Sequence, residues 1–146
     1  MSENEIAAIV VDCAFRIHVE VGPGLLESVY ETLLAHELEL AGLRIERQKP
    51  IPVVYRGVRF VEGFRADVLV QDRVLIEIKS VELMPAVCSK QLLTYLKMSG
   101  KRLGLLINFG SYRIKEGIHR IANGLADGEE RGLTQRPQRG QGGAEP

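Results

Sequence analysis

Residues 63–80 read GFRADVLVQDRVLIEIKS, and the most informative side chains in this stretch are Asp67, Glu77 and Lys79, spaced Asp-x9-Glu-x-Lys. From Phe64 to Val70 the sequence fits a strand. Successive strand residues point to opposite sides, which sets Phe64, Ala66, Val68 and Val70 on one face and Arg65, Asp67 and Leu69 on the other. Val74 to Lys79 alternates in the same way. A three-residue loop of Gln71, Asp72 and Arg73 pairs Val70 with Val74, and counting back along that ladder puts Asp67 opposite Glu77. Two carboxylates then face each other.

Like charges across a ladder repel, more strongly in a covered cleft than in solvent, and a divalent cation removes the conflict. Mg2+ (or Mn2+) takes hard oxygen ligands, commonly one or two carboxylates completed by water and substrate phosphate oxygens, so Asp67 and Glu77 suit it. Lys79 lies two residues beyond Glu77 on the same face. Its ammonium is suited to orienting a water or to stabilising charge at a reacting phosphorus, with the metal as Lewis acid. The competing reading is a surface hairpin on which Arg65, Asp67, Glu77 and Lys79 form ordinary ion pairs. Against it, Val74, Leu75, Ile76 and Ile78 make the second strand apolar enough for a sheet interior, and a helix-forming segment follows that can cover the charged face.

Working outward, Ser2-x-x-Glu5 is a capping box, and Ile6, Ile9, Val10, Cys13 and Ile17 follow at helical spacing, which predicts a helix over about 3–20. Gly22-Pro23-Gly24 breaks it. A second helix spans about Leu26 to Ala41, with Leu26, Tyr30, Leu33, Leu34, Leu38 and Ala41 as its apolar stripe and Gly42 as its stop. Extended segments are expected at 43–47, 51–55, 58–70 and 74–79, with a tight turn at Arg56-Gly57. Pro85 opens a helix reaching Met98 and stopped by Gly100. Leu103 to Phe109, apolar except for Asn108, reads as a strand, and Lys115 to Ala122 as a short final helix. The order is that of an α/β fold around a mixed sheet.

The 146 residues suit one domain, placed at 1–125, and the Gly-, Gln-, Arg- and Glu-rich segment 126–146 is expected to be a disordered tail. The apolar runs are too short to span a membrane, and MSENEIAAIVVDCAF is acidic where a signal peptide is basic, which points to the cytoplasm. Cys13 and Cys88 lack metal-ligand spacing and read as reduced thiols. Net charge is zero but unevenly spread. Residues 1–42 hold one basic and eight acidic residues, whereas 43–120 hold fifteen basic and seven acidic, so the candidate site lies in the basic part. Arg44, Arg47, Lys49, Arg56, Arg59, Arg65, Lys90, Lys97, Lys101 and Arg102 are candidates for phosphate contacts.

With these residues and this order of elements, the chain resembles the PD-(D/E)xK nuclease superfamily, whose core is helix, three antiparallel strands, helix and strand. Gly24-Leu25-Leu26-Glu27-Ser28-Val29-Tyr30 is similar to the Gly-x-x-Glu-x-x-Tyr signature of the bacterial GxxExxY proteins, and GFRADVLV, IEIKSV, QLLTYLK and GLLINFG look like the same family, over roughly residues 6–122. The resemblance implies a restriction-endonuclease-like core, a central mixed sheet flanked by helices. It further implies that Asp67 and Glu77 bind the metal with the Ile78 carbonyl, that Lys79 is catalytic, and that Glu27 completes the metal shell or orients water. Gln91-x-x-x-Tyr95 is similar to an element of the RecB-like branch, and residues four apart share a helix face, so both can reach one phosphate. Tyr30 is expected in the core with its hydroxyl on Glu27 or a phosphate. Ala66 stands where the superfamily's name has Pro, at a position that carries no ligand.

Two classes of function follow. One is a Mg2+-dependent nuclease acting on nucleic acid, DNA before RNA. The other is a nucleic-acid-binding or protein-interaction module on the same fold without turnover. An intact acid, acid and lysine set favours the first, while zero net charge and the absence of a recognition module favour the second. The sequence leaves the oligomeric state open.

Overall fold

The structure, a computed structural model, describes residues 1–126. Two helices lead, α1 (Glu3–Val21) and α2 (Glu27–Leu40), followed by an antiparallel meander of β1 (Ile45–Tyr55), β2 (Val58–Val70) and β3 (Val74–Lys79). Then come α3 (Val87–Ser99), β4 (Leu103–Asn108), a single turn α4 (Ile114–Gly117) and β5 (Ile118–Ala122). The five strands form one mixed sheet in the order β1-β2-β3-β4-β5, in which only β3 and β4 run parallel. α3 is the crossover between those two strands, as a parallel connection requires.

Local chemistry accounts for most boundaries. The Ser2 side chain accepts from the Glu5 N–H while the Glu5 carboxylate accepts from the Ser2 N–H, closing the capping box of α1. Arg56 and Gly57 both have positive φ, at 52° and 78°, and make a two-residue turn between the paired Tyr55 and Val58. Gly100 ends α3 in a left-handed conformation. β1 carries Pro50 and Pro52, which a strand at the rim of a sheet tolerates because its outward amides have no partner to lose.

The segment 115–122, expected as a helix, is corrected: one helical turn ends at Gly117 and the chain enters β5. β4 is buried along its whole length and needs backbone partners on both sides, and β5 supplies the second set through pairs from Ile107 with Ile118 to Leu103 with Ala122.

The sheet separates two apolar layers. On one side Val68, Val70, Val74, Ile76, Ile78, Leu103, Leu105 and Ile107 pack with α1 and α2; on the other Ala66, Leu69, Leu75 and Leu106 pack with Leu92 and Leu96 of α3. Cys13 and Cys88 are both free thiols. Among the described residues no helix is long and apolar enough to cross a membrane. The Ala126 carbonyl accepts from Asn4 and Arg120, and the remainder of the expected tail, 127–146, lies outside the described residues.

Candidate active site

The β2–β3 ladder has the expected register: Val70 with Val74, Leu69 with Leu75, Val68 with Ile76. One step further Asp67 reaches Glu77, and there side chains replace the ladder. Asp67 Oδ2 accepts from the Ile78 N–H at 2.8 Å, and the Glu77 carboxylate accepts from the Asp67 N–H. The acids therefore meet where the two strands part.

The expected alternation of β2 is corrected at this point. Ala66 and Leu69, an odd number of residues apart, belong to the same apolar layer, while Val68 and Val70 belong to the other, so the pattern slips between Ala66 and Val68. The cause lies on the neighbouring strand. Arg47 pairs with Val68 and Lys49 with Ala66, and between them Gln48 has φ of 50°, which interrupts the pleat opposite Asp67. Asp67 occupies the slip itself and is turned toward α2.

What meets it there is absent from the sequence reading. Gln48 Nε2 donates both to Asp67 Oδ1 at 3.1 Å and to Glu31 Oε1 at 2.7 Å, and Arg47 Nε donates to Glu31 Oε2 at 3.0 Å. Glu31 is only 7% exposed. A carboxylate one residue after Tyr30 and four after Glu27, on the buried side of an amphipathic helix, was the available signal. Glu27 is exposed at the first residue of α2, close enough for its charge to act on both Asp67 and Glu77.

The seven residues from Gly24 to Tyr30 have a common mechanical logic. Tyr30 is fully buried, stacks on Phe109 with ring centroids 4.4 Å apart, donates its hydroxyl to the Gly22 carbonyl and accepts from the Leu25 N–H at 3.2 Å. Its hydroxyl thus pins the turn before α2, where contact with Glu27 or a phosphate was expected. The Leu25 carbonyl in turn accepts from Ser80 Oγ at 2.6 Å, which ties the turn carrying Glu27 to the strand end carrying Lys79. His18 is occupied with the Ser111 carbonyl at 2.9 Å.

Lys79 is partly buried at the last residue of β3, beside Asn108 of β4, and its positive charge opposes the upward shift at Glu77. Just beyond it, the buried Asn108 side chain accepts from the Val81 N–H and donates to the Val81 carbonyl, each at 3.0 Å, so the exit of β3 is fixed through both backbone groups of Val81. On α3, Tyr95 stacks on Phe64 at 4.1 Å and Gln91 is exposed; neither hydrogen-bonds to the acids among the described residues.

Burial pushes the Glu77 carboxyl up to about 7, reinforced by Asp67 and Glu27 and opposed by Lys79 and the Asp67 N–H. Asp67 is also raised, again first by burial, against the donors Ile78 and Gln48. A raised carboxyl holds its proton more tightly folded than unfolded, so its contribution to stability is complete below the ordinary carboxylate range and is lost as pH climbs to the folded value. The metal-free protein should therefore lose stability between about pH 4.5 and about 7, by roughly 3 kcal/mol from Glu77. Urea denaturation with EDTA across that window tests this. Glu77→Gln should flatten the profile, and an equal slope in that variant would overturn it.

Two half-buried acids whose proton affinity is raised, first by burial and then by acidic neighbours (Glu31 and Glu27 for Asp67, Asp67 and Glu27 for Glu77), suit a hard divalent ion, which can replace a proton as counter-charge. Among the described residues no three His, Cys, Asp or Glu side chains gather closely enough to hold a metal by themselves, so Glu27 stands beside the pair and not in one set with it. Compared with known proteins, residues 4–121 match a family model described as the PD-(D/E)XK nuclease superfamily. No curated protein and no solved structure matches the chain.

Proposed function

Because the chain belongs to the PD-(D/E)XK nuclease superfamily, we propose that it is a metal-dependent nuclease that hydrolyses phosphodiester bonds of nucleic acid, DNA before RNA, with Mg2+ or Mn2+. Within the superfamily, the Gly24 to Tyr30 signature and Gln91-x-x-x-Tyr95 support membership of the GxxExxY proteins on the RecB-like side. The observation that carries the reading is the meeting of Asp67 and Glu77 at the parting of β2 and β3, with proton affinities raised by burial and Lys79 two residues away.

In this reading Asp67, Glu77 and the Ile78 carbonyl hold the cation, with Glu27 approaching from α2. Bound there, a divalent cation supplies Lewis acidity toward the scissile phosphate and a counter-charge for its oxygens. Lys79 orients the attacking water and stabilises the negative charge that grows on the phosphorus oxygens. Gln48 and the Ile78 N–H hold the two Asp67 oxygens in a fixed plane, so the carboxylate does not have to be ordered when substrate arrives. Gln91 and Tyr95 steady the phosphate on the α3 side.

The test is incubation of the purified protein with Mg2+ or Mn2+ and a panel of single-stranded, duplex and branched DNA and RNA. Metal-dependent cleavage abolished by EDTA is the expected result. Binding without cleavage under all metals would favour the alternative of a non-catalytic module, which the exposed Gln91 and the ring-stacked Tyr95 also suit.

A further inference from the structure

β2 pairs with β3 only through Val68, Leu69 and Val70, whereas its pairing with β1 continues from there to Val58. Beyond the candidate site the meander is therefore a two-stranded ribbon, running from Gln48 and Asp67 to the turn at Arg56-Gly57. A bare ribbon is marginal in water and is expected to cover itself with polar side chains. This one does the reverse. Val54, Tyr55, Val58, Phe60 and Val61 are between 43 and 66% exposed.

The apolar side chains are ordered. Strand alternation sets Val53 and Tyr55 on one side of β1, with Phe60 opposite Val53 and Val58 opposite Tyr55, and a shift of register separates them from Ile51, which pairs with Phe64. Ile51 is buried in the layer that also holds Phe64, whose ring stacks on Tyr95. Apolar side chains thus stand at both ends of the ribbon, Ile51 and Phe64 beside α3 and Val53, Tyr55, Val58 and Phe60 toward its tip. Charge accompanies it: residues 49–66 carry Lys49, Arg56, Arg59 and Arg65 against a single acid. Arg56 lies over the Tyr55 ring at 5.5 Å from its centroid.

Resting on the nuclease reading and extending it to substrate class, we propose that this ribbon is a docking surface for the unpaired bases of a nucleic-acid strand. Aromatic and aliphatic faces take up bases by stacking, which is available only where bases are not already stacked in a duplex, and Arg56 over the Tyr55 ring, with Arg59 paired to Val54 on the other face, supplies positive charge for the phosphates. A second copy of the chain is the less suitable occupant, because like ribbons bring like cations together. The strand is then led along the ribbon toward Tyr95 and the acids, and the preferred substrate is single-stranded or has a single-stranded extension.

The experiment uses the full chain in EDTA, with fluorescence anisotropy of a labelled oligodeoxythymidine and of a blunt duplex of equal length. The wild type should bind the single strand more tightly. Tyr55→Ala with Phe60→Ala should weaken that binding on the order of tenfold or more and leave the duplex nearly unchanged. Arg56→Ala with Arg59→Ala should weaken both and reduce the dependence on salt. All four positions lie outside the two cores, and melting temperatures check that each variant folds. Equal affinity of wild type and Tyr55/Phe60 variant for the single strand overturns the proposal, as does a wild-type dimer that the variant dissociates with DNA binding unchanged. The two readings separate in a parallel cleavage assay. Metal-dependent cleavage unaffected by ribbon changes sinks the ribbon alone, while ribbon-dependent binding without cleavage sinks the nuclease alone.

Discussion

Asp67→Ala is expected to remove divalent-metal affinity and cleavage together. Among the described residues Asp67 supplies one of the two carboxylates at the parting of β2 and β3, and the remaining Glu77 with a carbonyl and waters leaves a much weaker site. Two further effects accompany the loss. The Ile78 N–H and the Gln48 amide each lose an acceptor, which costs about 1–3 kcal/mol for a donor that is left buried. Glu77 at the same time loses an acidic neighbour, the second cause of its raised carboxyl after burial, so its carboxyl should fall part of the way toward the ordinary range. Isothermal titration with Mn2+ gives the direct readout. Unchanged binding in the variant would sink the assignment of Asp67 as a ligand, whatever happens to activity.

Lys79→Met should behave in the opposite sense, keeping metal and nucleic-acid binding while turnover falls by about 10²–10³, the usual loss when one group aimed at transition-state charge is removed. Methionine keeps much of the stem's volume, so the test isolates the ammonium. Its removal also has a defined effect without metal. Glu77 loses the cation that opposes its upward shift, and at pH 8 the ionised pair becomes costlier to keep folded. The metal-free variant should therefore melt below the wild type at that pH, and added Mg2+ should restore much of the difference. Greater stability than wild type with no response to Mg2+ would mean that the acids are merely solvated, and cleavage at the wild-type rate would rule out the catalytic role.

The order of elements was legible because punctuation and period agreed: the Ser2 capping box, Gly42, Arg56-Gly57 and Gly100 each lie at an element boundary of the structure. The register of β2 against β3, from Val70 with Val74 to Val68 with Ile76, was legible too, because loop length and the buried valines favour one pairing. Where the reading failed, the cause was non-local. Ile118 to Ala122 becomes a strand because β4 needs an antiparallel neighbour, a demand made by residues elsewhere in the chain. The slip at Asp67 depends on the conformation of Gln48, nineteen residues earlier and on another strand. For the same reason the place of Glu31 on the buried side of α2 did not reveal its partners. Its partners Arg47 and Gln48 come close only after the sheet has formed against α2.

The two prolines of β1 have a consequence for behaviour in concentrated solution. A rim strand with a full row of outward amides is a template onto which another chain can add, and a ribbon with exposed valines and aromatics beside it invites that addition. Pro50 and Pro52 interrupt the row within three residues, and Lys49 adjoins them. The ribbon thus has one edge, along β1, on which backbone addition is interrupted, while the outer edge of β2 beyond its last pair with β3 carries no proline.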